Sequence, residues 1–372
     1  MSDADEIILK VDGERLFGWE GLTVTRRFDA AADAFAFTVP FEGGEDNARR
    51  FQPFTSRLVK VQYRYGRTGN TEDVLTGYIE KVSTASTTDG RQIKIEGRSA
   101  SGQLVDNSAG PRTSKEGWSF EYEVGSLDRV MTLASIAFTP EPESGFRNLD
   151  TTEGLARLDP QFSSRLTPPT SVEPGNSVWK FLSSLAANSG FRGLPQPNGQ
   201  LHFTALNPLR NPIGSITEGD GVLESIETTH DMTKRFREYV VVSDGEGGRV
   251  QASVEDTSMF ENPRRVKIVE TDQDAENPQA AALFARARGL LESYSCKATL
   301  QGWTFAGRVW GVGAILNVKA PSAFIRHYSQ LSVREATLTY DEDSGKRTNL
   351  ELVLPEAMTD RQPNPENAPW RV

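Results

Sequence analysis

At 372 residues and 41.0 kDa the chain is too long for one ordinary domain, and its length favours about two to four compact units. Its 37% hydrophobic and 25% charged residues are those of a globular protein, which excludes a disordered or fibrous chain. A formal charge of -10, from 41 basic and 51 acidic residues, argues against a surface built to neutralise nucleic-acid phosphates.

No apolar run approaches the ~18 residues needed to span a bilayer. Residues Met1 to Glu6 are acidic and lack a basic stretch followed by an apolar one, so synthesis and folding in a cytoplasm are expected. The single cysteine, Cys296, excludes an intramolecular disulfide and is expected to be a buried, inert thiol.

Strands dominate the first hundred or so residues. Ile7 to Val11 and Glu14 to Phe17 flank Asp12-Gly13, a dipeptide suited to a two-residue hairpin. Leu22 and Val24, then Phe35, Phe37 and Val39, recur at spacing two, and Pro40 closes the second run. Alternation continues over Leu58 to Tyr65, Val74 to Val82 and Gln92 to Glu96, and one barrel or small sandwich accounts for all of it.

From Gly102 to Gly117 the composition turns small and polar, marking a boundary. Ser126 as a cap, with Leu127, Val130, Met131 and Ala134 behind it, predicts a short helix, and Pro140 to Pro174 reads as loop. The best-signalled helix runs over 177–188, with Val178, Phe181, Leu182 and Leu185 on one face, Asn176 before it and Gly190 after it. Phe191 to Leu194, the turn Pro197-Asn198-Gly199 and Leu201 to Thr204 then predict a hairpin, so 106–215 reads as a mixed α/β unit.

Strand character returns at Leu223 to Ile226 and Arg237 to Val242, and again at Ala298 to Phe305, Ile315 to Lys319, Gln330 to Tyr340 and Asn349 to Leu354. The interruption holds a helix expected to begin near Asn277-Pro278. The two β units carry a weak repeat: Leu75 to Val82 with Gln92 to Gly97 resembles Leu331 to Leu338 with Asn349 to Leu354, and Leu22 to Val39 corresponds loosely to Leu223 to Val242.

Motifs of chemistry fail on spacing. Gly345-Lys346 lacks the upstream glycine and the hydroxyl of a phosphate loop, and is better explained as a hairpin turn. Asp341, Asp343 and Gly345 begin like a calcium loop but place Lys346 where that loop requires glycine. His202, His230 and His327 are dispersed, and Trp303 and Trp310 read as core residues in preference to binding platforms. No catalytic residue, metal ligand or cofactor site is assigned.

Two segments carry a family resemblance. Pro174-Gly175-Asn176-Ser177-Val178-Trp179-Lys180-Phe181-Leu182, continuing through Gly190-Phe191 to Pro197-Asn198-Gly199-Gln200-Leu201-His202-Phe203, is similar to a helix-hairpin signature of the phage late control protein D and Mu-type baseplate hub family, related to the valine-glycine repeat spike proteins of type VI secretion. Gly302-Trp303-Thr304, Gly307-Arg308-Val309-Trp310 and Leu316-Asn317-Val318 resemble that family's sequence after an inserted helix. Val11-Asp12-Gly13, Gly18-Trp19 and Val24-Thr25-Arg26 resemble its start. Gly311-Val312-Gly313-Ala314 departs from the Mu pattern, where a proline-containing turn is found.

The resemblance implies a mainly β protein with α+β parts: a tube-like β-barrel over 1–105, an α/β domain over 106–215, a second, discontinuous barrel over 216–248 and 295–356, a helix-containing insertion over 249–294 and a tail over 357–372. It further implies a non-enzymatic structural hub in the virion's tail baseplate. A homotrimer would join a hexameric tail tube to a trimeric central spike, contact tape measure and wedge proteins, and pass DNA without binding it specifically. A tailocin or secretion-spike hub, and a tail-associated peptidoglycan hydrolase, are the alternatives. The tail, with Pro363, Pro365 and Pro369, is either disordered or an arm anchored by Trp370 on a neighbouring subunit.

Overall fold

In a computed structural model, the described residues are 4–40, 50–87, 90–109, 112–114, 117–119, 121–122, 125–126, 130, 155–162, 166–167, 170–173, 175–188, 191–205, 211–245, 248–258, 265–271, 278–359, 361–362 and 368–370. Two units are present: Met1–Ser184 with Gly193–Thr204 and Thr337–Lys346, and Leu185–Arg192 with Ala205–Ala336 and Arg347–Val372.

The first unit opens with β1 (Glu6–Val11) and β2 (Glu14–Arg15), joined by Asp12 and Gly13, whose φ values of 51° and 84° are those of a primed two-residue turn. Asp12 Oδ1 accepts from the Leu58 amide at 3.0 Å, tying that turn to the next strand to which β1 pairs. In β3 (Gly21–Arg27), β4 (Ala34–Pro40) and β5 (Leu58–Arg64) every second residue is buried, including Leu22, Val24, Phe35, Phe37, Val39, Val59, Val61 and Tyr63. The long β6 (Thr71–Thr87) and β7 (Gly90–Ser99) complete the hydrogen-bonded path β3-β4-β7-β6-β5-β1-β2. Glycine is required where β6 and β7 cross closely: a Cβ on Gly77 or Gly97 would meet the carbonyl oxygens of Arg98 and Tyr78 at 2.0 and 2.1 Å.

Further along, β8 (Ala156–Leu158), β9 (Arg192–Pro195) and β10 (Leu201–Thr204) form a small sheet in which β8 runs parallel to β10. Residues 140–174 read as loop from sequence, yet Leu155, Ala156 and Leu158 are buried in this sheet; three residues are too short a run for periodicity to detect. The β9–β10 turn has Gly199 at φ 91° and its amide on the Gln196 carbonyl at 2.9 Å, as Asn198-Gly199 predicts. Helix α1 (Val178–Asn188) starts at Ser177, whose Oγ accepts from the Lys180 amide at 3.1 Å, so Ser177 and not Asn176 is the cap. The helix expected over Ser126 to Ala134 lies almost wholly outside the described residues.

The second unit contains β11 (Ser215–Thr217) and β12 (Leu223–His230), then an inserted sheet of β13 (Glu238–Gly245), β14 (Gly248–Glu255) and β15 (Val266–Thr271), ordered β14-β13-β15, with α2 (Pro278–Ser293) packed on it. Val241, Val254 and Ala282 form the insertion's core, with Val269, Ala281 and Leu283 against it. After it come β16 (Tyr294–Gln301), β17 (Ile315–Ala320), β18 (Ile325–Asp341) and β19 (Gly345–Val353), in the path β12-β16-β19-β18-β17-β11.

This placement corrects one reading. The strand at Arg237 to Val242 pairs with β14 and β15 in the insertion, not with β12. The partner of β12 is β16, so the counterpart of the β3–β4 pair is β12–β16, split by the inserted sheet. An apolar run such as Tyr239-Val240-Val241-Val242 says that a strand is buried without saying in which sheet.

With that substitution the weak repeat becomes a topological one. Taken in sequence order, β1, β3, β4, β5, β6 and β7 occupy the same positions along their path as β11, β12, β16, β17, β18 and β19 along theirs. The difference is that β1 meets β5 antiparallel whereas β11 meets β17 parallel. The protein is mainly β, and among the described residues neither path closes on itself into a barrel.

Candidate functional site

The chemically suggestive residues resolve into structure. Cys296 is fully buried on β16, and burial pushes its thiol up to about 12, which keeps it protonated and unreactive. Asp341 Oδ1 accepts from the amides of Asp343 at 2.9 Å and Ser344 at 3.2 Å, and Gly345 has φ 71°, so the Gly345-Lys346 segment is the turn of the β18–β19 hairpin. Lys346 Nζ donates to the Asp5 carbonyl at 2.8 Å. No group of three or more His, Cys, Asp or Glu able to hold a metal occurs among the described residues.

The histidines are not brought together as a catalytic group. His202 is half-buried on β10 in the first unit, and His327 is exposed on β18 in the second. His230, at the end of β12, lies with its ring 5.1 Å from Tyr294 and 5.3 Å from Trp370, and burial lowers its pKa, favouring neutral imidazole. Trp370 thus packs within its own chain, 5.5 Å from Tyr294.

Several charged side chains on the repeated strand paths are paired. Glu96 on β7 sits between Lys81 Nζ at 2.8 Å and Lys94 Nζ at 2.7 Å, and hydrogen bonds from the two lysines hold its carboxyl down at about 2. The corresponding hairpin of the second repeat carries Arg334–Glu351 at 2.8 Å, and Arg347 reaches Glu224 at 2.9 Å. These pairs join side chains within and between strands of the same path.

The motif residues are structural. Ala306 and Gly307, with φ of 51° and 79°, form a tight turn that lets the Trp310 amide donate to the Trp303 carbonyl at 3.1 Å. Both indoles are buried, at 0% and 2% exposure, with Phe305 stacked on Trp310 at 4.8 Å, which confirms them as core. In the first unit, Trp179 of α1 stacks on Phe203 of β10 at 6.0 Å.

Comparison with known proteins agrees with this architecture. Residues 6–99 match the family described as Mu phage baseplate assembly protein GpP-like, N-terminal. Over 366 residues the chain is 23% identical to the baseplate hub protein gp44 of Escherichia phage Mu, covering 94% of this chain and 88% of that one. The chain is a relative of the Mu-type baseplate hubs. The Mu-type fold extends to the 43 kDa tail protein of prophage MuSo2 from Shewanella oneidensis, with a TM-score of 0.74 at 19% identity, covering 95% of this chain and 99% of that one. It is shared more loosely with the E. coli c3393 protein, a component of the type VI secretion system, with a TM-score of 0.54 at 10% identity over 96% and 79% of the two chains.

Proposed function

We propose that this Mu-type relative is a non-enzymatic structural hub of a phage tail baseplate. The observation that supports the reading is the duplicated strand order, two strand paths of the same connectivity in one chain. Three chains would supply six such paths, and a ring of them would make a tube of pseudo-sixfold symmetry. That ring stacks on a hexameric tail tube at one end and presents threefold symmetry to a trimeric spike at the other, leaving a channel for DNA. Tape measure and wedge proteins are its further partners.

The domain scheme of two tube-like β-barrels, an α/β domain and a helix-containing insertion belongs to this proposal. The paired charges of the sheet faces support a role in contact and passage. Electron microscopy of the purified chain with its spike and tube proteins tests it. Rings with six peripheral densities and a central bore are expected, and particles without threefold symmetry would contradict the reading.

A further inference from the structure

The inserted sheet has one face packed by α2, and on the other face exposure rises from the buried Val240 on β13 to the outer strand β15. Tyr239, Val241 and Val254 point to the helix side, and pairing register puts Val240 opposite Ile268 and Glu238 opposite Val266 on the other side. On that side Val266 is 42% and Ile268 71% exposed, two apolar side chains at spacing two on the outermost strand, β15.

The intervening residues of β15 have the opposite chemistry. Lys267 lies on the other face, its Nζ 5.5 Å from the Phe236 ring, and Arg265 immediately precedes the strand with its guanidinium 4.8 Å from the same ring. Arg237, whose amide donates to the Arg265 carbonyl at 2.9 Å, and Lys234 add positive charge at this end, where the carboxylate of Asp231 lies near Lys234 and Arg265. Among the described residues β15 pairs with β13 alone, so one row of its backbone N–H and C=O groups faces outward. A lysine on an edge strand can serve simply to repel unwanted strands; here it alternates with Val266 and Ile268, which add apolar surface to the same edge.

We propose that the outer edge of β15 docks an extended segment of a partner protein in which acidic and apolar residues alternate. The added strand hydrogen-bonds to the free row of β15. Its apolar residues extend the Val240–Ile268 face, and its carboxylates lie beside Lys267 and Arg265. A second copy of β15 fits poorly, because antiparallel pairing would bring the Lys267 and Arg265 cations of the two copies onto the same face. A nucleic-acid backbone would leave Ile268 and Val266 exposed. The inference does not depend on the hub reading, since the edge belongs to the isolated chain.

The test uses the full chain and three labelled peptides of about nine residues: one alternating Val and Glu, one of the same composition with Val and Glu in blocks, and one alternating Val and Lys. Fluorescence anisotropy is expected to show the first bound at least about tenfold more tightly than the others. Lys267→Glu combined with Arg265→Glu should reverse the preference between the acidic and basic alternating peptides, and Ile268→Asp should weaken the acidic one by about tenfold, with circular dichroism confirming that each variant is folded. Equal binding of the three peptides, no binding, or binding indifferent to these substitutions overturns the proposal. So does self-association of the chain through this edge, or binding of a short DNA duplex abolished by the same changes.

Discussion

Gly289 sits inside α2, where alanine would ordinarily be the better residue by about 1 kcal/mol. Here the substitution Gly289→Ala is expected to destabilise, because a Cβ at this position would lie 1.9 Å from the Tyr239 hydroxyl oxygen and 2.8 Å from its Cζ. Tyr239 is fully buried and its hydroxyl accepts from the Phe236 amide at 3.2 Å, so the ring cannot move without losing that bond. Overpacking of this kind costs about 1–3 kcal/mol and the lost hydrogen bond about 1 more, which exceeds the helix gain and leaves a net loss of about 1–3 kcal/mol. Tyr239→Phe removes the atom that clashes first, at the expense of the same hydrogen bond. The double variant should therefore be more stable than Gly289→Ala alone, with a coupling of about 1–2 kcal/mol. Urea unfolding of the four proteins, followed by circular dichroism, measures it. Strict additivity, or a Gly289→Ala protein more stable than the parent, would refute the packing argument.

Arg235 and Asp256 form a buried ion pair, Nε to Oδ2 at 2.8 Å, with side chains 5% and 0% exposed. Arg235→Ala strands a buried carboxylate and should cost about 3–5 kcal/mol by thermal or urea unfolding, whereas Arg235→Met with Asp256→Leu should cost much less. Asp33 is buried, and desolvation outweighs a long 3.4 Å contact with Arg26 to raise its carboxyl to about 6. Because the unfolded state ionises first, this residue's contribution to stability falls as pH rises from about 4 through about 6, by about 3 kcal/mol at most, and Asp33→Asn should remove that slope from urea-unfolding midpoints measured across the range. Cys296, held protonated by burial, should resist a thiol-reactive disulfide reagent in the folded chain and react at once in denaturant; fast reaction under native conditions would contradict its placement.

The β framework was legible because the code is local. Asp12-Gly13 and Asn198-Gly199 set their turns, and spacing-two burial set β3, β4 and β5, since a strand with one covered face must alternate. What sequence misassigned was nonlocal. The run Tyr239 to Val242 is apolar in any sheet, and only pairing with Val266–Thr271 and Gly248–Glu255 decides that it belongs to the insertion. Leu155 to Leu158 were hidden by brevity.

Of the candidate site, the Gly345-Lys346 turn and the buried Trp303 and Trp310 were legible in the sequence. Its other features required coordinates. The pairing of Glu96 with Lys81 and Lys94 spans two strands, and the exposed edge carrying Ile268 depends on β15 being outermost. Trp370 illustrates the limit: an aromatic residue in a proline-rich tail signals an anchor, but whether the socket lies on the same chain is set by His230 and Tyr294, far away in sequence.

The central claim is that the duplicated sheets serve a threefold assembly. It is tested most directly by the solution mass of the purified chain by light scattering over a range of concentrations, alone and with its spike protein. A mass of three chains, about 123 kDa from a 41.0 kDa chain, in either condition is the predicted result. A persistent 41.0 kDa monomer in both would contradict the symmetry-adaptor account while leaving the fold as described.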